Sequence, residues 1–210
     1  MIHPLKTIPV LLLTLLGISC NSSKKEKDES TNAKTILTGP FYTMDTSGTS
    51  LIWTAYKFTE KLGVSGTFDD YTLRLKTDSG SLDDLLSKAE MTIVTHSVNS
   101  ANIIRDPKLR TSFFKVFKTD TIFGNINDAN KGKGALELRM NNITKDVAFE
   151  YSIKNDTLHL LTHLDLMSWN GEEALTSLNK ECYELHTGTD GISKLWPDVD
   201  VVFRIPLQKE

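Results

Sequence analysis

The chain has 210 residues, 39% of them hydrophobic, and 24 Lys and Arg against 27 Asp and Glu give it a net charge of −3. That suffices for one globular domain with a sizeable core plus a tail. The slight acidic excess and the scattered cations exclude a basic stripe able to neutralise a phosphate backbone, so no nucleic acid is expected as a partner.

Lys6 precedes an apolar run from Ile8 to Ile18, broken only by Pro9, Thr14 and Gly17, that is short for a membrane span. A weakly basic start, an apolar middle and small residues before a cysteine predict a secretory signal peptide over residues 1–19. The end of the run, Leu16-Gly17-Ile18-Ser19-Cys20, resembles a bacterial lipobox, with Gly17 where that signal usually carries Leu. The resemblance implies that Cys20 becomes an acylated N-terminus. It would anchor the protein to a membrane of the bacterial cell envelope, facing the periplasm or the cell surface. The alternative is a conventional signal cleaved nearby, which leaves Cys20 as a thiol able to pair with Cys182. Residues 20–38 include Ser22-Ser23-Lys24-Lys25-Glu26-Lys27-Asp28-Glu29-Ser30 and are too polar to bury a core. They are expected to form a flexible linker.

From about Gly39 the chain becomes a series of short β-rich runs: residues 51–58, 67–76, 91–95, 121–126, 135–140, 147–153, 157–166 and 199–207. Phe68 with Asp69, then Leu73 and Leu75 with Arg74 and Lys76, alternate with the period of a half-buried strand. Residues 128–134 and 154–156 supply the Asn, Asp and Gly of turns. Three short helices punctuate the strands. Ser81-Leu82-Asp83-Asp84 has capping-box character ahead of Leu85 and Leu86. In the second, Asp106 is expected at the N-cap and Pro107 at the first helical position, with Leu109, Phe113 and Phe114 on one face. The third begins near Asn170, carries Glu172 and Glu173 in its first turn, and sets Leu175, Leu178, Cys182 and Leu185 on one stripe before Gly188 stops it. Many strands, short turns and few helices imply an all-β sandwich or barrel. Periodicity does not choose between the two.

The order Ser97-Val98-Asn99-Ser100, a spacer, Arg105-Asp106-Pro107-Lys108-Leu109-Arg110 and Phe113-Phe114 resembles the signature of the YceI-like family. Val64-Ser65-Gly66-Thr67-Phe68 resembles that family's Val-x-Gly-x-Phe element, and Ile143-Thr144-Lys145-Asp146-Val147 is close to its Thr-Lys-x-Val element. Asp198-Val199-Asp200-Val201 fits its closing strand. The resemblance covers nearly all of residues 39–210. It implies an extended eight-stranded antiparallel lipocalin-like β-barrel with a few short helices, of the kind that binds isoprenoid or other long apolar ligands. Two departures stand out: Lys57 lies where the family often has His, and the segment from Trp169 to Trp196 is longer than in the shorter members.

A barrel of that size is just wide enough to be filled by side chains or to hold one small ligand. On the resemblance, Trp53, Tyr56, Phe58, Phe68, Phe113, Phe114, Phe117, Phe123, Phe149, Trp169, Trp196 and Phe203 line an apolar cavity for an isoprenoid or fatty-acyl lipid. The alternative is that they fill the core. Arg105, Lys108 and Arg110 gather around the aromatic helix and could meet an anionic headgroup; the alternative is surface pairing of little worth. His159 and His163, four apart in a predicted strand, would lie roughly 13 Å from each other, too far to share a zinc ion. Cys182 and His186 have helical spacing but lack further ligands, so no metal and no cofactor is expected. There is no Gly-x-Ser-x-Gly elbow, no His-Glu-x-x-His and no phosphate-binding loop, and no catalytic residue is expected. The expected activity is sequestration of a long apolar lipid without catalysis; the alternatives are an envelope interaction module with a filled barrel and, third, an enzyme using Cys182 or a buried carboxylate assembled from distant strands. The oligomeric state is not fixed, and a homodimer is compatible with the sequence.

Overall fold

The structure, a computed structural model, describes residues 40–209. The expectations for the leader, Cys20 and the linker lie outside the described residues.

A short β1 (Tyr42–Met44) leads into β2 (Ser50–Lys57), which turns back as β3 (Leu62–Phe68). The chain bends at residues 69–70 and continues as β4 (Tyr71–Arg74), then β5 (Ser79–Gly80). Strands β6 (Glu90–Val94) and β7 (Val98–Asn99) are likewise one line interrupted by a 3-10 turn, Thr95–Ser97. A meander follows: β8 (Thr121–Asn130), β9 (Lys133–Met140), β10 (Ile143–Lys154), β11 (Thr157–Asp165) and finally β12 (Leu195–Lys209). Each pairs antiparallel with the next, and β12 returns to β2 with Val201 opposite Trp53. The curl closes because the bent line β3–β4 meets the bent line β6–β7, Phe68 opposite Val98 and Tyr71 opposite Ile93. The sheet has twelve strands where eight were expected; counting each bent line as one stave gives eight, with β1 added against the end of β12 and β5 against β1.

The expected strand over residues 67–76 is corrected: it breaks at Asp69-Asp70. There the barrel turns a corner, and the two residues use their polar groups to join the bent lines. The Asp69 N–H donates to the Ser97 carbonyl at 3.0 Å, Asn99 donates to the Asp69 carboxylate, and the Asp70 N–H donates to the Ser97 hydroxyl at 2.9 Å. The expected turn over residues 128–134 is also shorter. Strand β8 runs to Asn130 through a register shift after Ile126, leaving only Lys131 and Gly132 as the loop. Both have positive φ, as do Asn141-Asn142 and Asn155-Asp156, so three hairpins close through two-residue loops of the twist that suits paired strands.

Alternation then sorts the side chains. Leu136, Leu138 and Met140 of β9 and Val147, Phe149 and Tyr151 of β10 point inward, with charged neighbours such as Glu137 and Arg139 outside. Helix α1 (Leu82–Leu86) caps one end of the barrel: Ser81 accepts from the Asp84 N–H at 3.2 Å, Leu85 and Leu86 are buried, and Tyr151 donates to Asp83.

At the other end lie α2 (Arg105–Lys108), a π-helical run Leu109–Phe114, α3 (Glu172–Glu181) and α4 (Tyr183–His186). Here two expectations are corrected. Asp106 is inside the helix, not its cap. Asn102 does the capping, its side-chain oxygen accepting the N–H groups of Ile104 and Arg105 at 3.0 Å each, and this frees Asp106 for another task. Pro107 accordingly sits within the first full turn instead of opening it. The expected single helix after Asn170 is two helices. Cys182, with φ −112° and ψ 25°, leaves helical geometry, so the stripe stops there and Leu185 swings out to 58% exposure.

Candidate ligand-binding cavity

The polar run before the aromatic helix has a mechanical role. Ser97 donates to the Val94 carbonyl at 2.6 Å, Val98 is fully buried, and Asn99 bridges to Asp69. Ser100 donates its N–H to the buried Asp106 carboxylate at 2.9 Å and its hydroxyl to the same oxygen, while Arg105 donates Nε to the Ser100 hydroxyl at 2.7 Å. Arg110 donates to the carbonyls of His96 at 2.8 Å and Val98 at 3.1 Å. These bonds lock the π-helical run across the barrel end. Its wide turn lets the adjacent Phe113 and Phe114 both face inward, their rings edge to face with centroids 5.1 Å apart.

Beneath this lid is an inner chamber of about 160 Å³. Its walls are aliphatic and aromatic, and Thr162, whose hydroxyl donates to the Ala148 carbonyl, is the sole hydroxyl among them. A cavity of roughly 150 Å³ with such walls stays dry and accepts a small apolar group. A vestibule of about 320 Å³ adjoins the chamber, and Trp53, Ala55, Leu109, Leu178 and Leu195 border both. Trp53 is held flat against the neighbouring strand by Gly66: a Cβ there would fall 2.3 Å from its ring, and its indole N–H donates to the Thr67 carbonyl at 3.1 Å. The glycine of the Val-x-Gly-x-Phe element is therefore the seat of a wall residue.

Of the expected aromatics, Trp53, Phe68, Phe113, Phe114, Phe117, Trp196 and Phe203 come together around the inner chamber. The others do not. Tyr56 borders the vestibule but donates its hydroxyl to Asp200. Phe58 lies past the end of β2 with Lys57 over its ring at 4.3 Å. Phe123 is 40% exposed on the outer face under Arg139, because β8 turns Ile122, Gly124 and Ile126 inward instead. Phe149 is buried against Gly134 and Tyr151. Trp169 is buried and donates to the Leu138 carbonyl at 3.2 Å. Sequence reasoning passed over the aliphatic wall, Leu51, Ile93, Leu136, Leu160 and Val201 among it. Period-two phase along each strand carried that signal.

The vestibule is polar on one side. Arg105 and Lys108 border it, joined by Lys57, Asn102, Cys182 and His186, whereas Arg110 borders neither space. Lys57 donates to the Leu185 carbonyl at 2.7 Å, and Lys108 pairs with Glu181 at 3.1 Å. His186 bonds Asn179 Oδ1 through Nδ1 at 2.9 Å, which puts its proton there and leaves Nε2 as an acceptor. Burial, then the charges of Lys57 and Lys108, push the His186 pKa down to about 4, and burial raises that of the Cys182 thiol. Outside, His163 bridges Asp200 at 2.7 Å and Asp198 at 3.2 Å, and the bond to Asp200 raises its pKa. No group of three or more ligating side chains suited to a metal ion occurs among the described residues.

The His186 shift has a sign. In the unfolded chain this ring takes up a proton near pH 6.5, and in the folded protein only near 4. Its contribution is present above pH 6.5 and is lost as pH falls through that window, the opposite of His163. The melting temperature should fall from pH 7 to pH 4.5, and by less in His186→Asn than in the native chain. Equal falls would remove His186 as the cause.

A curled antiparallel barrel with an apolar chamber under a helical lid defines a lipocalin-type barrel protein. A family model, the YceI-like domain, matches residues 42–207, and the chain belongs to that family. Among solved structures it is similar to a polyisoprenoid binding domain from Saccharophagus degradans implicated in plant cell wall breakdown. The two are 13% identical with a TM-score of 0.53, over 80% of this chain and 98% of that one. It is also similar to BcnA of Burkholderia cenocepacia, at 12% identity and a TM-score of 0.53, over 79% and 99% respectively. At these identities the likeness is one of fold. None of the curated proteins matches the chain in sequence.

Proposed function

We propose that this protein binds a long apolar lipid, isoprenoid or fatty-acyl, without catalysis, tail in the inner chamber and polar or anionic end in the vestibule. The observation that carries this reading is a chamber walled by apolar side chains that shares five wall residues with an adjoining vestibule bordered by Lys57, Arg105 and Lys108. Burial of each methylene contributes about 0.8 kcal/mol, and the cations favour a carboxylate or phosphate at the exit. The polyisoprenoid-binding neighbour of the same fold supports the choice of ligand class.

Parinaric acid, a polyene fatty acid, should quench Trp53 and Trp196 by energy transfer on binding to the full chain. Lys57→Glu with Lys108→Glu should weaken its binding about tenfold more than that of the matching alcohol. Absence of uptake by the native chain, together with no lipid in its organic extract, would sink the proposal.

Cys20 is proposed as the acylated anchor that keeps this barrel at an envelope membrane. A radiolabelled fatty acid should be incorporated into the native chain and not into Cys20→Ser; equal labelling would place the acyl group elsewhere.

A further inference from the structure

We infer that the rim of the vestibule is a docking surface for an anionic lipid bilayer, so that a ligand passes from membrane to chamber without crossing water. The inference rests on the lipid-binding reading above. Ile103 and Ile104 are 90% and 70% exposed, side by side, and Ile104 borders the vestibule together with Leu185. Leu62, also exposed, stands opposite Lys57 in the β2–β3 hairpin at the same end. This exposure is built and not frayed. Asn102 fixes the two isoleucines through its bonds to the N–H groups of Ile104 and Arg105, and Ser100, Arg105 and Asp106 pin the loop on either side. A rigid loop that presents two adjacent isoleucines to water has an apolar occupant to meet.

Charge selects the occupant. The chain as a whole is negative, yet Lys57, Arg105 and Lys108 border the vestibule with no carboxylate among the bordering residues; Glu181 offsets Lys108, Asp106 reaches Arg105 through Ser100, and Lys57 meets a carbonyl. Cations behind an inserted apolar tip fit the interface of a membrane containing anionic lipid, which attracts each Lys or Arg near its surface. Another protein would need a partner surface that no feature of the rim specifies.

The test uses the full chain and vesicles of phosphatidylcholine with or without 30% phosphatidylglycerol. Ile103 is replaced by the photocrosslinker benzoylphenylalanine, with Lys154, at the far end of the barrel, replaced as the control. Crosslinks to lipid from position 103 and not from 154 are expected. In parallel, Ile103→Asp should slow transfer of parinaric acid from anionic vesicles at least fivefold and leave its uptake from water unchanged. Crosslinks from position 103 to a second copy of the chain, or equal transfer rates in the two proteins, overturn the docking surface. If the native chain takes up no parinaric acid from either source, the lipid-binding reading fails on its own, and the crosslinks alone decide docking.

Discussion

Replacing Ala55 by phenylalanine is expected to cut affinity for parinaric acid by about a thousandfold while leaving the fold at native stability or slightly above it. Ala55 borders both spaces, at the neck a ligand spanning them would pass, between Val199 on one neighbouring strand and Val64 on the other. A ring at this neck meets Trp53, Leu109, Leu178 and Leu195 and closes the inner chamber to a chain entering from the vestibule. If about five methylenes lose their apolar surroundings at 0.8 kcal/mol each, the loss is about 4 kcal/mol, or roughly three orders of magnitude in Kd. The same ring fills space that was empty, so stability does not suffer. A barrel with a filled neck would behave in the opposite way, with about 1–3 kcal/mol lost to overpacking. Unfolding curves and energy-transfer titrations of the one variant separate the two outcomes. Undiminished binding would show that the ligand does not pass this neck.

The second large effect is expected at Asp106. Changing it to alanine should destabilise the protein by about 3 kcal/mol and weaken ligand uptake with it. The carboxylate is buried and accepts both the N–H and the hydroxyl of Ser100, and Ser100 in turn accepts from Arg105. Removing it leaves a buried N–H unpaired and takes the negative charge away from a part-buried guanidinium. Each loss costs about 1–3 kcal/mol. Because this network fastens the π-helical run that carries Phe113 and Phe114, the lid loosens along with the loop. Asp106→Asn keeps an acceptor for the Ser100 N–H and should recover about half the stability in urea denaturation. An alanine variant within 0.5 kcal/mol of native would mean that the network is not what holds the lid.

The residues that carried the family resemblance therefore divide by task. Ser97, Asn99, Ser100, Asp106 and Arg110, visible in the sequence as a pattern, join the bent staves and fasten the lid. Phe113 and Phe114 were legible as one apolar helical face, and both line the chamber. Aromatic character alone does not place Phe123 inside; strand phase does the sorting. Phe123 alternates out of step with Ile122 and Ile126, and a strand has only two faces. Arg110 is near Arg105 and Lys108 in the chain, but its guanidinium is spent on two backbone carbonyls.

By itself, the sequence determined what depends on near neighbours. Period-two alternation set the strands and their inner faces, Asn, Asp and Gly pairs set the hairpin turns, and Ser81 set the start of the first helix. It also carried enough of the family's joining residues to specify the barrel. Only the tertiary structure decided what depends on groups brought together from far apart. Lys57 meets the Leu185 carbonyl across 128 positions of chain, and Lys57, Lys108 and His186 come from three separate elements to make one vestibule. The break at Cys182 that turns Leu185 outward belongs to the same class, since the helix stripe alone would have run on. Local rules fix which face of an element is apolar, and barrel closure fixes which of those faces meet.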